Sequence, residues 1–464
     1  MDDVDDVVII GGGPGGYESA LVAAQLGAHV TVIERDGLGG STVLTDCVPS
    51  KTLIATADLM TQVQGADELG VSLGRGPDDE VIADLGVVNR RVMGLALAQS
   101  ADIRGRLERE GVRVLAGVAR LDGPDAVVAD LADGATERID AQTVLVATGA
   151  HPRVLDSAQP DGERILTWEQ VYDLDALPEK LVVVGSGVTG AEFAGAYLAL
   201  GSEVVLVSSR DRVLPGEDVD AAEVLEEVFK RRGMTVMSRS RMQSVERVGD
   251  GVRVTLTDGR TVEGSHCLLA LGSIPNTRDM GLEEAGVHLN DAGFVQVDSV
   301  SRTSRRGVYA AGDCTGVLML ASVAAMQGRI AMAHALGDAV QPLNLREVSS
   351  NVFTAPEIAT VGFSQKDVDE GKIDAQAVML PLSGNARAKM QGVHDGFVKL
   401  FCRPGTGIVV GGVVVGPSAS EYIHPVSLAV ACLLTVDQVA HAFTVYPSIS
   451  GSVAEAARRL HKRR

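Results

Sequence analysis

Two glycine-rich segments have the spacing with which proteins hold the pyrophosphate of a dinucleotide. Residues 11–16 read Gly-Gly-Gly-Pro-Gly-Gly after the apolar run 7–10, and residues 185–190 read Gly-Ser-Gly-Val-Thr-Gly after the apolar run 181–184. In such a turn the first glycine permits the bend, the second lets the backbone approach the phosphates, and the third lets helix and strand pack closely. The N-terminus of the next helix then faces the anion. The two segments predict two nucleotide sites, and hence electron transfer between two cofactors.

The residues that follow each turn predict different nucleotides. Glu34 stands about twenty residues after the start of the first turn, where a carboxylate accepts hydrogen bonds from ribose hydroxyls and repels a 2′-phosphate. The second copy has Ser208, Ser209 and Arg210 at the same place. Hydroxyls and a guanidinium can donate to a 2′-phosphate, at about 1.5–3 kcal/mol for a charge-assisted hydrogen bond. The sequence therefore predicts NADPH at the second site, alone or alongside NADH. The alternatives are that Glu34 at the first site is only a surface strand end and that Arg210 at the second is only a loop residue.

Between the two turns lies Cys47, which has no cysteine near it in the sequence. The other four cysteines are Cys267, Cys314, Cys402 and Cys432, and no Cys-x-x-Cys pair occurs. This spacing favours neither a disulfide framework nor a zinc site, and no metal is predicted. Pro49 is typical of a first helical turn, so we expect Cys47 near a helix N-terminus with a lowered pKa. The alternative is a small, inert packing residue.

Composition excludes several classes of protein. The 464 residues carry a net charge of −20 with 3% aromatics, which leaves neither the positive charge nor the stacking platforms of a nucleic-acid binder. The N-terminus, residues 1–6, is acidic where a signal peptide is basic. No apolar run approaches the ~18 residues of a membrane span. We therefore expect a cytoplasmic protein without membrane insertion, whose basic end, residues 458–464, is a solvated tail or touches an anionic surface.

Apolar periodicity predicts an α/β fold with two doubly wound dinucleotide-binding domains and a C-terminal α+β domain. The predicted strands are residues 4–10, 29–33, 181–184, 203–207, 396–401 and 408–415, and the predicted helices are residues 17–26, 85–112, 191–200, 421–434 and 448–460. Residues 112–145 alternate and contain turn dipeptides, which predicts a small antiparallel sheet. The two β-turn-α-β units share one internal spacing, as expected of two sheets of the same plan.

The chain resembles the FAD-dependent pyridine nucleotide-disulfide oxidoreductases, the group of lipoamide dehydrogenase, glutathione reductase and mercuric reductase. Besides the two turns, the resemblance rests on Gly39-Gly40, Cys47-Val48-Pro49-Ser50-Lys51, and residues 144–149, 270–276, 308–313 and 354–357. It runs almost from end to end. It implies an FAD-binding domain (1–152), an NAD(P)H-binding domain (153–273), a return to the FAD-binding and central region (274–344) and an interface domain (345–464), in a homodimer.

The resemblance also implies the residues of each site. For FAD these are Gly11, Gly13, Pro14, Gly15, Gly16, Glu34, Arg35, Gly40, Ser41, Thr42, Lys51, Ala119, Thr148, Gly149, Gly312, Asp313, Leu320 and Ala321. For NAD(P)H they are Gly185, Gly187, Val188, Thr189, Gly190, Glu192, Ser208, Ser209, Arg210 and Gly272. Lys51 would lie beside the flavin N5, paired with Glu192 near the nicotinamide, where a fixed cation stabilises the charge that a hydride brings. The alternative is an ion pair without a kinetic role.

The chain departs from the family at three positions. The first of the two redox cysteines is replaced by Thr42, which cannot form a disulfide with Cys47. The C-terminal His-Pro and Glu are replaced by Tyr446-Pro447 and Gly451. All three changes affect the half of the mechanism that acts on sulfur. Replacement of the lost disulfide by a Cys47–Cys314 bridge is not expected, because the resemblance places Cys314 along the ribityl chain.

These departures predict an NAD(P)H dehydrogenase that passes electrons through FAD to a small acceptor such as a quinone, without a thiol relay. Tyr446, from the partner subunit, would stack on the acceptor, hydrogen-bond to it, or only fill the vacated space. Cys47 could donate charge to the flavin as a thiolate. The alternatives are a soluble pyridine-nucleotide transhydrogenase and a flavin-binding or sensing protein of low turnover. Lipoamide dehydrogenase and glutathione reductase activities are predicted to be absent.

Overall fold

The computed structural model describes residues 5–72, 81–123 and 125–461. Part of the acidic N-terminus (1–4) and part of the basic C-terminus (462–464) lie outside the described residues, so the expectations for both ends stay predictions. The chain divides into two compact units. Unit 1 contains Met1–Thr52, Asn89–Arg153 and Gly272–Asn344, and unit 2 contains Leu53–Val88, Val154–Leu271 and Leu345–Arg464.

The strands of the described residues are β1 (Asp5–Ile10), β2 (Val30–Glu34), β3 (Arg113–Leu121), β4 (Ala126–Leu131), β5 (Thr136–Val146), β6 (Ala150–Pro152), β7 (Ile165–Thr167), β8 (Lys180–Val184), β9 (Glu203–Val207), β10 (Thr235–Met237), β11 (Met242–Val248), β12 (Gly251–Leu256), β13 (Thr261–Gly264), β14 (His266–Leu269), β15 (Ser273–Pro275), β16 (Val308–Ala310), β17 (Ser349–Val352), β18 (Glu357–Gly362), β19 (Gln376–Pro381), β20 (Phe397–Cys402) and β21 (Val409–Gly416).

The helices are α1 (Pro14–Gln25), α2 (Gly40–Leu44), α3 (Cys47–Gln64), α4 (Leu85–Arg109), α5 (Val188–Leu200), α6 (Val219–Arg231), α7 (Ala321–Ala335), α8 (Gln365–Asp369), α9 (Ala386–Met390), α10 (Ala419–Tyr422), α11 (His424–Ala431), α12 (Val436–His441) and α13 (Gly451–Leu460). Short 3-10 helices lie at Ala66–Leu69, Val171–Asp173, Asp313–Thr315, Leu345–Glu347 and Leu382–Gly384.

Unit 1 is built on a parallel sheet with the strand order β3-β2-β1-β5-β16. Its strands are continuous apolar runs because both faces are covered: Val8 and Ile10 belong to the core on one face, and Val7 and Ile9 to the core on the other. The far halves of β3 and β5 pair with β4 in antiparallel fashion. The predicted small antiparallel sheet is therefore confirmed, but two of its strands also belong to the parallel sheet.

Unit 2 contains a second parallel sheet, in the order β10-β9-β8-β14-β7, together with the antiparallel sheet β11-β12-β13. Its C-terminal part is the antiparallel sheet β17-β18-β21-β20-β19. A buried lysine on β20, Lys399, joins this part to the first turn of α6, because its Nζ lies 2.8 Å from an Asp218 oxygen and 2.5 Å from an Asp220 oxygen. The predicted α/β fold class, with a separate α+β part, is confirmed.

The largest error in the predicted elements is the single helix over residues 421–434. The structure has α10 and α11 there, with α11 beginning at His424 and Pro425 in its first turn. Proline lacks the N–H that a continuing helix needs but fits the start of a new one. The same preference explains why α1 begins at Pro14 rather than at the predicted residue 17.

Close packing of α1 on α7 generates a stability prediction. A Cβ at Gly328 would overlap the Gly15 carbonyl oxygen and the Ser19 hydroxyl, whereas a Cβ at Gly94 in α4 meets no atom within 4 Å. We expect Gly328→Ala to lower the free energy of unfolding by about 1–3 kcal/mol through overpacking. The matched variant Gly94→Ala should raise it by about 0.5–1 kcal/mol, because alanine loses less entropy in a helix. Chemical denaturation of both variants measures the difference, and equal stabilities would contradict this account.

Candidate functional site

The first glycine turn connects β1 to α1 and leaves an open space in front of the helix. Gly11 has a φ of +104°, and a Cβ there would overlap the Ala147 carbonyl. Gly16 packs on Gly11 so closely that a Cβ would overlap the Gly11 carbonyl. By contrast, no atom lies within 4 Å of a Cβ placed on Gly13, the N-cap of α1. Open space before a helix N-terminus fits the pyrophosphate of a dinucleotide.

The carboxylate of Glu34 is fixed beside this turn. Its Oε2 accepts a hydrogen bond from the Gly12 amide at 2.5 Å, and its Oε1 accepts one from the Asp36 amide at 2.7 Å. The neighbouring Arg35 is exposed and forms an ion pair with Asp36 at 2.8 Å. Glu34 thus has the position and the acceptor character expected of a ribose ligand.

A second group of unit 1 residues follows the ends of β5 and β16. The Thr148 hydroxyl donates to the Asn276 carbonyl at 2.7 Å, and the Asn276 amide donates to the Gly149 carbonyl at 3.0 Å. After β16, the Gly312 amide donates to the side chain of buried Gln327 at 2.8 Å. Asp313 comes next, and burial, with the Asp46 charge adding to it, raises its pKa to about 6.

The other residues expected at the FAD site occupy these places in unit 1. Gly40 begins α2 beside Gly13, followed by exposed Ser41 and partly buried Thr42; Ala119 is buried in β3; and Leu320 and Ala321 stand at the start of α7. Pro14 and Gly15 are buried in the first turn of α1.

Cys47 is the first residue of α3, and the helix begins with the Ser50 amide donating to the Asp46 carbonyl at 2.7 Å. Lys51 follows in the first turns of the helix and is partly buried. Cys314 is fully buried, and its thiol donates to the Ala311 carbonyl at 3.4 Å. Burial raises the pKa of this thiol to about 11. All five cysteines lie in the described ranges, and none of them forms a disulfide.

The second glycine turn has the same geometry as the first. Gly185 has a φ of +113°, and a Cβ there would overlap the Ala270 carbonyl. A Cβ on Gly190 would overlap the Gly185 carbonyl, while Gly187, the N-cap of α5, again has open space around it. Val188 and Thr189 form the first turn of α5. This turn also fits a pyrophosphate.

Of the three residues after β9, the first is buried and the other two are exposed. Ser208 is fully buried, and its hydroxyl forms a hydrogen bond with the Ser186 hydroxyl at 2.7 Å and accepts the Arg210 amide at 3.1 Å. Ser209 and Arg210 are exposed. They line a cavity of about 350 Å³, whose described lining is Leu155, Val184, Gly185, Val207, Ser209, Arg210, Ser240, Arg241, Met242 and Leu271. Gly272 lies in unit 1, where its carbonyl accepts the Arg153 amide at 2.9 Å.

Glu192, on α5, is 3% exposed, and its Oε1 accepts a hydrogen bond from the Phe353 amide at 2.8 Å. Sequence reasoning missed this contact, because a backbone amide donor leaves no signature in residue type. A narrow cleft beside Glu192 is also lined by Asp58, on α3, and by Arg232. Burial, with Glu357 adding to it and Arg232 opposing it, raises the pKa of Asp58 to about 6.

Tyr446 lies in the segment between α12 and α13, far more exposed than most aromatic residues. Its exposed fraction is 86%, and those of Phe443 and Val445 are 106% and 78%. Gly451, at the place of the family's glutamate, begins α13, and its amide donates to the Ser448 hydroxyl at 3.1 Å. The segment therefore presents three large apolar side chains on the surface of unit 2.

The described residues contain neither a candidate metal site nor a helix that could span a membrane. No group of three or more histidine, cysteine, aspartate or glutamate side chains in that part of the chain could hold a metal ion. Within the same ranges, none of the helices is both long enough and apolar enough to cross a bilayer.

Comparison with known proteins assigns the family. Residues 5–328 match the pyridine nucleotide-disulphide oxidoreductase family, and residues 348–457 match its dimerisation domain. The chain therefore belongs to the pyridine nucleotide-disulfide oxidoreductases, as the motifs predict. Membership implies FAD and NAD(P)H as cofactors and an oxidoreductase activity.

The chain is similar to several individual members of this family. A Mycobacterium tuberculosis protein named NAD(P)H dehydrogenase (quinone) is 56% identical, over 98% of this chain and 94% of the relative. The dihydrolipoyl dehydrogenase of Zymomonas mobilis is 31% identical over 98% of both chains. Among solved structures, LpdA from Mycobacterium tuberculosis is 55% identical with a TM-score of 0.94, covering 99% of this chain and all of that one. The HOCl-induced flavoprotein disulfide reductase RclA from Escherichia coli shares the fold, with a TM-score of 0.86 at 23% identity over 98% and 99% of the two chains.

The pKa of Asp58 generates a prediction of pH-dependent stability. A carboxyl whose folded pKa is raised binds more protons in the folded than in the unfolded state, so its contribution to stability falls as pH rises from about 4 to about 6. We expect Asp58→Asn to abolish this loss. Relative to the unchanged protein, the variant should gain up to about 2 kcal/mol between pH 4 and pH 7.5. Urea denaturation at the two pH values measures the gain; a stability difference that is the same at both would contradict the assignment.

Proposed function

We propose that this protein is a homodimeric flavoprotein that oxidises NAD(P)H and reduces a quinone or a similar small acceptor, without a thiol relay. The observation that carries the proposal is the combination of two complete glycine turns with a redox-cysteine position occupied by Thr42. The relative named NAD(P)H dehydrogenase (quinone), at 56% identity, supports the same acceptor class. The proposed domains are residues 1–152 for FAD, 153–273 for NAD(P)H, 274–344 for the central region and 345–464 for the interface.

The first turn and its neighbours fit FAD. Gly13 leaves room for the pyrophosphate, Glu34 would accept the ribose hydroxyls, and Asp313 would hold the ribityl chain. Bound FAD would supply the chemistry of accepting a hydride and returning its electrons. Burial raises the pKa of Asp313 only to about 6, so near neutral pH its carboxylate would accept a hydrogen bond from a ribityl hydroxyl.

Lys51 and Glu192 would serve the hydride-accepting half of the reaction. Lys51 would place a fixed positive charge where negative charge develops, and such a charge acts more strongly in a dry site than in water. Glu192 is held by the Phe353 amide, so its carboxylate is oriented before any nucleotide binds.

The acceptor half of the site would differ from that of a disulfide reductase. Threonine can neither form a disulfide nor attack one, and Tyr446 lacks the imidazole of the histidine that it replaces. A planar quinone needs no thiol partner and could occupy the space that the disulfide would fill. Tyr446 would reach this space from the partner subunit, because residues 348–457 match a dimerisation domain and the segment is exposed.

Replacing Lys51 tests the electron-loading half. We expect Lys51→Met to slow reduction of the bound flavin by NADPH about 100-fold, the size of effect that follows loss of one preorganised charge-stabilising group. Stopped-flow absorbance of the flavin measures the rate. The control is Lys366→Met, at an exposed lysine on α8, which should leave the rate unchanged. Equal rates in the two variants would assign Lys51 a structural role only.

Replacing Tyr446 tests the acceptor half. We expect Tyr446→Ala to raise the KM for a naphthoquinone up to about tenfold, as an aromatic contact of about 0.5–1.5 kcal/mol implies. Reduction of the flavin by NADPH should not change. Tyr446→Phe separates the ring from the hydroxyl, since a stacking role retains the low KM and a hydrogen-bonding role does not. An unchanged KM in the alanine variant would leave Tyr446 outside the acceptor site.

The function itself is tested by reoxidation. Pre-reduced enzyme is mixed with a naphthoquinone, with NADP⁺ or with lipoamide, and flavin absorbance is followed. Fast reoxidation by the quinone alone supports the proposal. Faster reoxidation by NADP⁺ identifies a transhydrogenase, and slow reduction by NADPH in the first place identifies a binding or sensing protein. Turnover of lipoamide would contradict the interpretation of Thr42, Tyr446 and Gly451.

A further inference from the structure

Two segments of unit 2 meet at the cavity of about 350 Å³. One is the loop that follows β9, residues 208–210, and the other is the segment that follows β10, residues 238–241. Two backbone hydrogen bonds join them: the Arg239 amide donates to the Arg210 carbonyl at 2.7 Å, and the Ser240 amide donates to the Ser208 carbonyl at 2.7 Å. These hydrogen bonds hold the two segments side by side.

The charged residues that line this cavity are both arginines. Arg210 stands on the first segment and Arg241 on the second, and both are exposed to solvent. No carboxylate occurs among the described residues that line it. The chain as a whole carries a net charge of −20, so a cavity lined only by positive charge is a local exception. Such a cavity attracts an anion of high charge density.

The cavity also reaches the second glycine turn, because Gly185 is part of its lining. A dinucleotide whose pyrophosphate lies at this turn extends its adenosine ribose toward the end of β9. A carboxylate at that strand end would bind the ribose hydroxyls, but Ser208 stands there, and its hydroxyl is engaged by Ser186 and by the Arg210 amide. The group that binds the ribose must therefore come from Ser209, Arg210 or the neighbouring segment, residues 238–241.

We propose that Arg241 is the second half of a subsite for the 2′-phosphate of NADPH, and that Arg210 and Arg241, on two neighbouring segments, bind this phosphate together. A phosphate monoester carries nearly two negative charges, and a guanidinium presents paired donors that match its oxygens. Ser209 adds a hydroxyl beside Arg210. The inference rests on the proposed NAD(P)H site, and it makes Arg241 a residue that selects NADPH over NADH.

The test uses ligands that carry only the adenosine end of the coenzyme, so it does not depend on the acceptor. Calorimetry on the FAD-loaded enzyme compares 2′,5′-ADP, which has the 2′-phosphate, with 5′-AMP, which lacks it. We expect Arg241→Ala to weaken binding of 2′,5′-ADP about tenfold or more, because this is the loss of affinity expected when one charge-assisted hydrogen bond is removed. Binding of 5′-AMP should stay within about twofold. Arg241→Lys keeps the charge without the paired donors and should give an intermediate loss.

The matched control is Arg253→Ala, which removes the same charge from a half-buried position on β12 in the same unit, away from the cavity lining. It should leave both affinities unchanged, and the flavin spectrum reports that each variant is folded. The proposal is overturned if Arg241→Ala binds 2′,5′-ADP as tightly as the unchanged enzyme, if it loses 5′-AMP equally, or if the unchanged enzyme does not prefer 2′,5′-ADP. Quinone reduction driven by NADH, measured separately, would show whether the proposed function fails independently.

Discussion

The structure depends on a close approach between a glycine and the neighbouring strand, made once in each parallel sheet. The Ala147 amide donates to the Ile10 carbonyl at 2.8 Å, and the Ala270 amide donates to the Val184 carbonyl at 2.9 Å. With the strands so paired, the carbonyls of Ala147 and Ala270 occupy the space of a Cβ on Gly11 or Gly185. Only glycine permits this turn. The turn then determines where each helix begins and what its N-terminus faces.

From this shared geometry the two units diverge at one pair of positions. The Gly11 amide donates to the Ile33 carbonyl and the Gly185 amide to the Val207 carbonyl, so Glu34 and Ser208 are equivalent. In unit 1 the carboxylate accepts the Gly12 amide, whereas in unit 2 two hydroxyls pair with each other. The backbone plan is thus the same, while the electrostatic character of the nucleotide end is opposite. Glu34 lies beside the first turn, whereas Arg210 and Arg241 line the cavity that reaches the second.

The sequence predicts most of the fold because its strands are buried on both faces. The strand over residues 203–207 is predicted at its observed bounds, since a continuous apolar run flanked by polar residues has few alternative registers. Helix ends are less certain, as the break at His424 and Pro425 demonstrates. The two glycine turns are likewise predicted, because their glycines recur at fixed spacing, while the binding roles of the site residues stay predictions. The Phe353 amide beside Glu192 and Arg241 in the cavity lining are missed by sequence reasoning, because each comes from a segment brought there only by tertiary packing.

The hydroxyl pair of Ser186 and Ser208 has a consequence for protein engineering. In such domains an acid at the strand end binds the ribose hydroxyls of the unphosphorylated coenzyme. Here that position is closed, because Ser208 is fully buried and a longer side chain would displace the turn itself. A variant tailored to the unphosphorylated coenzyme would have to be redesigned at the exposed residues of the cavity, such as Ser209 and Arg210, with the buried interior of the turn unchanged.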